Sequence, residues 1–96
     1  MIDLEQKHLA IVKSILKKQI PTVEVRVFGS RVKGTAKRYS DLDLALMTKE
    51  PLTLAQLGDI KDAFSISNLP IMVDVVDWQR ISPQFRQVID QCYEVI

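Results

Sequence analysis

Phe28-Gly29-Ser30-Arg31-Val32-Lys33-Gly34-Thr35-Ala36-Lys37-Arg38-Tyr39-Ser40-Asp41-Leu42-Asp43-Leu44-Ala45-Leu46 is the stretch on which the reading of this chain turns. Its second half reads as a strand from Asp41 to Met47. Side chains on a strand alternate between faces, so Leu42, Leu44 and Leu46 share one face and Asp41 and Asp43 the other. Aspartate is a poor strand former, and two carboxylates this close repel each other. A hard divalent cation with oxygen ligands would compensate. The plainer alternative is a solvated sheet face with Asp41 ending a turn.

The first half of the stretch places Gly29-Ser30 where a strand stops. That strand is Val23-Glu24-Val25-Arg26-Val27-Phe28, in which apolar and polar residues alternate. Glycine allows a sharp turn and a close approach of phosphate to the backbone. The Ser30 hydroxyl can add a hydrogen bond to a phosphate oxygen. A Gly-Ser pair alone occurs in countless turns; here it gains force from the Asp-x-Asp that opens the next strand.

A third carboxylate interrupts Ile71-Met72-Val73-Asp74-Val75-Val76, an otherwise apolar strand. A buried, unpaired carboxylate is costly, so Asp74 must meet a cation or reach solvent at a sheet edge. If the two strands are neighbours, Asp74 joins the face of Asp41 and Asp43. Asp77 is offset by an odd number of residues, which points it the other way, as a strand end or helix-entry residue.

Outward from these strands lie three longer helices. Asp3 to Gln19 is amphipathic, with Leu9, Val12 and Leu16 at helical spacing, and Pro21 ends it. Leu54 to Phe64 follows Thr53 as N-cap. Ser82-Pro83 starts the last helix, which turns Phe85, Ile89, Cys92 and Tyr93 inward. With a short helix after Gly29, the order is helix, strand, short helix, strand, helix, strand, helix. That is an α/β (α+β) fold, a small mixed sheet flanked by helices.

The whole chain limits the function classes. Its 96 residues suffice for one small domain, 1–96. A net charge of +1, from 13 basic and 12 acidic side chains, gives no bulk attraction to nucleic acid. One cysteine excludes an intrachain disulfide, and with one histidine it excludes the usual zinc sites. No signal peptide or membrane span is legible, so cytoplasm is the expected location. Arg31, Lys33, Lys37 and Arg38 surround the glycine turn, as triphosphate contacts, as contacts to an acidic partner, or as a solvated charged loop. Tyr39 is expected to pack on the sheet, and Trp78 to lie at a core edge or a partner contact.

Gly29-Ser30, ten intervening residues and Asp41-Leu42-Asp43 resemble the Gly-Ser-x10-Asp-x-Asp signature of the DNA polymerase beta-like nucleotidyltransferase superfamily. FGSRVKGTAKRYSDLDLAL resembles its minimal nucleotidyltransferase branch, which often reads Gly-Ser-x-Ala-x-Gly before Ser-Asp-x-Asp-Leu. Gly34 and Ser40 match. Val32 replaces the small alanine, and Lys33 stands where arginine is common. The resemblance implies the nucleotidyltransferase fold, with Gly29 and Ser30 cradling a triphosphate and Arg31, Lys33 and Ser40 near it. It implies Mg2+ or Mn2+ on Asp41, Asp43 and Asp74, and ATP as substrate. It also implies transfer of AMP to a hydroxyl, with Asp74 orienting or deprotonating the acceptor.

Larger members carry a further domain for the acceptor, for which 96 residues leave no room. The expected acceptor is therefore on another protein. Minimal members resemble antitoxins that neutralise a helical HEPN-type ribonuclease toxin by adding AMP to a tyrosine. Two other readings stay open: a non-catalytic nucleotide-binding antitoxin or regulatory module, and the catalytic subunit of a small-molecule nucleotidyltransferase.

Overall fold

The computed structural model describes residues 2–96. Helix α1 (Gln6–Gln19) leads into strand β1 (Val25–Phe28), the one-turn helix α2 (Ser30–Lys33) and strand β2 (Leu42–Leu46). Helix α3 (Leu54–Ser65), strand β3 (Val73–Asp77), a single 3-10 turn (Trp78–Arg80), helix α4 (Pro83–Gln91) and strand β4 (Tyr93–Val95) follow. No helix among the described residues is long and apolar enough to cross a membrane.

The four strands form one mixed sheet in the order β3-β2-β1-β4. β1 runs antiparallel to both β2 and β4, whereas β2 and β3 are parallel. The parallel pair needs a crossover, which α3 supplies. Thr53 starts α3 with a reciprocal capping box: its hydroxyl accepts from the Gln56 N–H, and the Gln56 side chain accepts from the Thr53 N–H. Ser82 caps α4 by accepting the Phe85 N–H, with Pro83 in the first turn.

The alternation in the strands decides which face closes. Val25 and Val27 on β1, Leu42, Leu44 and Leu46 on β2 and Val75 on β3 pack with Val12, Leu16, Ile60 and Phe64 of α1 and α3. Truncating one of these, such as Leu44, to alanine would cost roughly 2–5 kcal/mol. The opposite face carries a smaller cluster of Phe28, Ala45 and Ile89, joined by Val76, Trp78 and Phe85. Phe28 and Phe85 meet edge to face, with centroids 5.7 Å apart. Helix α4 thus covers only part of this second face.

Five expectations are corrected. Helix α1 begins at Gln6, because the Asp3 N–H is spent on the Arg31 carbonyl and the chain bends at Leu4 before the helix starts. The last helix stops at Gln91, since Cys92 has the extended backbone angles φ −158° and ψ 106°. Residues 93–95 then form a fourth strand on the free edge of β1, pairing Tyr93 with Phe28 and Val95 with Arg26. Tyr93 is exposed rather than inward, and Cys92 is a half-buried cap rather than a core helix residue. Tyr39 does not pack on the sheet either: it is exposed, with the Arg38 guanidinium 5.3 Å from its ring. Trp78 does lie at a core edge, between the second cluster and the Arg86 guanidinium.

Candidate active site

The parallel register of β2 and β3 sets Asp43 directly beside Asp74. Paired residues of neighbouring strands point to the same face about 4.8 Å apart, so both carboxylates rise from the half-covered face. Asp41 stands one residue before β2 and is exposed. The antiparallel register of β1 and β2 pairs Asp43 with Phe28. The chain that leaves β1 therefore turns at Gly29 beside the same carboxylate.

That turn has a steric requirement. Gly29 has φ 80° and ψ −156°, a region open to glycine and nearly closed to other residues. A β-carbon there would lie 2.2 Å from Oδ2 of Asp43. Gly29 is also the cap of α2: its carbonyl accepts the Val32 and Lys33 N–H groups at 3.1 and 3.0 Å. Ser30 follows at once, half-buried at the start of α2.

Electrostatics single out Asp43. Burial first, then the neighbouring charges of Asp74 and Asp41, push its carboxyl up to about 6. Asp74 and Asp41 are thus each close enough to Asp43 to raise the cost of charging it. An oxygen-seeking divalent cation would relieve that repulsion, and the donor set fits Mg2+ or Mn2+. Among the described residues no group of three or more His, Cys, Asp or Glu side chains is arranged to hold a metal ion. Mg2+ commonly takes only one or two carboxylates and completes its shell with substrate phosphate oxygens and water.

The other residues expected at the site divide. Lys33 is exposed at the end of α2, free to meet an anion. The Ser40 hydroxyl accepts the Lys37 N–H at 2.8 Å, closing the turn before Asp41. Arg31 departs from expectation: it is 6% exposed, and its guanidinium is engaged by backbone carbonyls. It is therefore turned away from the phosphate role read from its charge. Asp77 is buried on the opposite face, where its carboxylate accepts from the Thr48 hydroxyl and from the N–H groups of Leu52 and Gln79. Its offset from Asp74 had separated it from the site.

Gly29 thus packs against Asp43, the first of two strand carboxylates in register. The chain belongs to the polymerase beta nucleotidyltransferase family, whose model matches residues 10–96. It is 50% identical over 95 residues to the probable protein adenylyltransferase MntA of Haemophilus influenzae, covering 99% of this chain and 83% of that one. Its fold is similar to a crystal structure of a toxin–antitoxin with AMP-PNP, at a TM-score of 0.76 and 25% identity, covering 90% of this chain and 69% of that one. A tri-AMPylated HEPN toxin of Shewanella oneidensis in complex with its MNT antitoxin gives a TM-score of 0.70 at 21% identity, over 96% and 71% of the two chains. That likeness speaks to the fold alone.

Proposed function

We propose that this chain, acting as one unit over residues 1–96, is a metal-dependent protein adenylyltransferase that moves AMP from ATP to a tyrosine hydroxyl of a helical HEPN-type toxin. It would act as the antitoxin of that pair, in the cytoplasm. The observation that carries the reading is the Asp43–Asp74 register, with Gly29 packed against Asp43. The identity to a protein adenylyltransferase and the fold shared with a nucleotide-bound toxin–antitoxin support it. The toxin class follows from the family resemblance of residues 28–46.

In this mechanism the acceptor oxygen attacks the α-phosphorus of ATP, the bond to the β-phosphate oxygen breaks, and pyrophosphate leaves. Gly29 and Ser30 hold the triphosphate, the glycine by letting phosphate approach the backbone and the serine by donating its hydroxyl. Lys33 offsets triphosphate charge from the exposed end of α2. Asp41, Asp43 and Asp74 would hold Mg2+ or Mn2+, which supplies charge neutralisation and alignment for in-line attack. Asp74 is exposed on the edge strand, and it would accept the hydroxyl proton. The protein thus works by positioning and electrostatics.

Co-expression with a helical HEPN-type protein, read by intact mass, tests the proposal. Each transfer adds one AMP unit to the partner, and an Asp41→Asn/Asp43→Asn variant adds none. A partner that binds tightly yet never changes mass, with metal and ATP present, would establish the binding-module reading. No binding by such a protein would return the small-molecule reading.

A further inference from the structure

We propose that Arg31 is a positioning residue of this site: it locks the segment that presents Asp41 against the turn that begins at Gly29, acting through Ser40 without touching the nucleotide. The proposal rests on the nucleotidyltransferase reading above.

The guanidinium is a rigid planar fork of five N–H donors, and here it serves backbone carbonyls on two separate segments. Nε and Nη2 both donate to the Ser40 carbonyl, at 3.0 and 2.9 Å. Nη2 also reaches the Arg38 carbonyl at 3.3 Å. Nη1 donates to the Asp3 carbonyl at 2.7 Å, and the Asp3 N–H returns a bond to the Arg31 carbonyl at 2.7 Å. The N-terminal segment, the glycine turn and the 37–40 loop are therefore joined at one side chain. Among the described residues Arg31 makes no ion pair with a carboxylate. A buried cation solvated by carbonyl dipoles is a costly way to fill space, which calls for a task that an apolar residue would not perform.

The task is legible in what is gripped. The Ser40 carbonyl belongs to the peptide bond that leads into Asp41. On the other side of Asp41, the Leu42 N–H donates to the Met72 carbonyl at 3.0 Å and fixes the start of β2 to the β3 segment. The Asp41 side chain is exposed and makes no hydrogen bond among the described residues. Its position is thus set by two anchored peptides, and Arg31 supplies one anchor. Arg31 also follows Ser30 directly, so the phosphate turn and the loop carrying a metal-ligand candidate are set relative to each other. Lysine cannot replace this: its ammonium is a point donor, and it cannot serve Asp3 and Ser40 in one plane.

The test compares wild type, Arg31→Lys and Arg31→Met, with Asp43→Asn as a control. Hydrogen exchange of the metal-free proteins is expected to accelerate at amides 38–42 in Arg31→Lys, with β1 and α3 unchanged. Titration of Mg2+ with an α,β-methylene ATP analogue should show a requirement for roughly ten- to a hundredfold more Mg2+, the range for outer residues that orient ligands. The transfer rate at saturating Mg2+ should return to within a few-fold of wild type. A merely structural arginine would lower the melting midpoint and leave the Mg2+ requirement unchanged well below it, which overturns the proposal. A collapsed rate with an unchanged Mg2+ requirement also overturns it, by placing Arg31 at the reacting atoms. If Arg31→Met does not fold, Arg31→Lys decides; if neither folds, the role is structural and the proposal fails. If wild type binds no metal and nucleotide at all, the functional reading fails instead, while exchange at 38–42 still reports on the clasp.

Discussion

Gly29 and Asp43 occupy contiguous space: a β-carbon on the glycine would lie 2.2 Å from Oδ2 of the aspartate and 3.1 Å from its carboxyl carbon. The turn that would receive the triphosphate and the carboxylate that would receive the metal therefore cannot move independently. Gly29→Ala is expected to destabilise the fold by roughly 1–3 kcal/mol, the cost of a side chain in this backbone region. It should also swing the Asp43 carboxylate away and lower transfer by about a hundredfold. Gly34→Ala is the control. Gly34 shares the positive φ, at 81°, but a β-carbon there meets nothing within 4 Å. It should lose stability and keep activity. Denaturant midpoints and initial rates by intact mass check both, and equal activity losses in the two variants would sink the Gly29–Asp43 coupling.

The repulsion around Asp43 gives a second expectation. Asp43→Asn removes a charge held beside Asp74 and Asp41, so the metal-free melting midpoint should stay level or rise. Mg2+ or Mn2+ should raise the wild-type midpoint and leave that of Asp41→Asn/Asp43→Asn unmoved, because only a ligand bound to the native state stabilises it. Thermal scans with and without metal read this directly. Equal metal-induced shifts in both proteins would place the cation elsewhere.

What the sequence made legible follows from how locally each feature is encoded. The faces of β1 and β2 are readable because alternation is a two-residue signal; β3 is an apolar run whose lone Asp74 marks its polar face, and pairing β3 with β2 brings Asp74 beside Asp43. Strand β4 was not readable: Phe85, Ile89, Cys92 and Tyr93 continue a helical period, and no Gly or Pro marks the end at Gln91. The one signal was the short run Tyr93-Glu94-Val95-Ile96, too brief to outweigh the helix. The role of Arg31 was hidden for another reason. Its partners are backbone carbonyls of Asp3, Arg38 and Ser40, and carbonyls leave no mark in a sequence. Its charge suggested phosphate instead.

Asp74 is expected to matter for chemistry and little for folding. It is exposed on the edge strand β3, so Asp74→Asn removes no buried bond and relieves repulsion on Asp43. The melting midpoint should stay within a few degrees, while transfer falls by about two or more orders of magnitude if Asp74 is both base and ligand. Single-turnover rates at saturating Mg2+ and ATP separate chemistry from binding. Unchanged turnover would make Asp74 a bystander.

Asp77 is expected to set the acid limit of the fold. Its carboxylate is fully buried, and burial alone would push it up. The Thr48 hydroxyl, the N–H groups of Leu52 and Gln79 and the nearby Arg80 outweigh that and hold it below the ordinary value of 3.8. Arg80, half-exposed at 3.6 Å, is the weakest of these partners. Because the folded carboxyl is harder to protonate than the unfolded one, its stabilisation is fully present above about pH 4. It is lost as pH falls below 3.8 and through the lower folded value. Asp77→Asn keeps the shape, removes the charge and leaves the donors of Leu52, Gln79 and Thr48 poorly matched. At pH 7 it should cost about 2–4 kcal/mol. Urea denaturation of wild type and variant from pH 7 to pH 3 checks this, the repulsion around Asp43 being common to both. The gap between the two curves should narrow below pH 4, because only wild type loses a charged-group contribution there. A gap that stays constant across that window would mean the network is held by shape and not by the Asp77 charge.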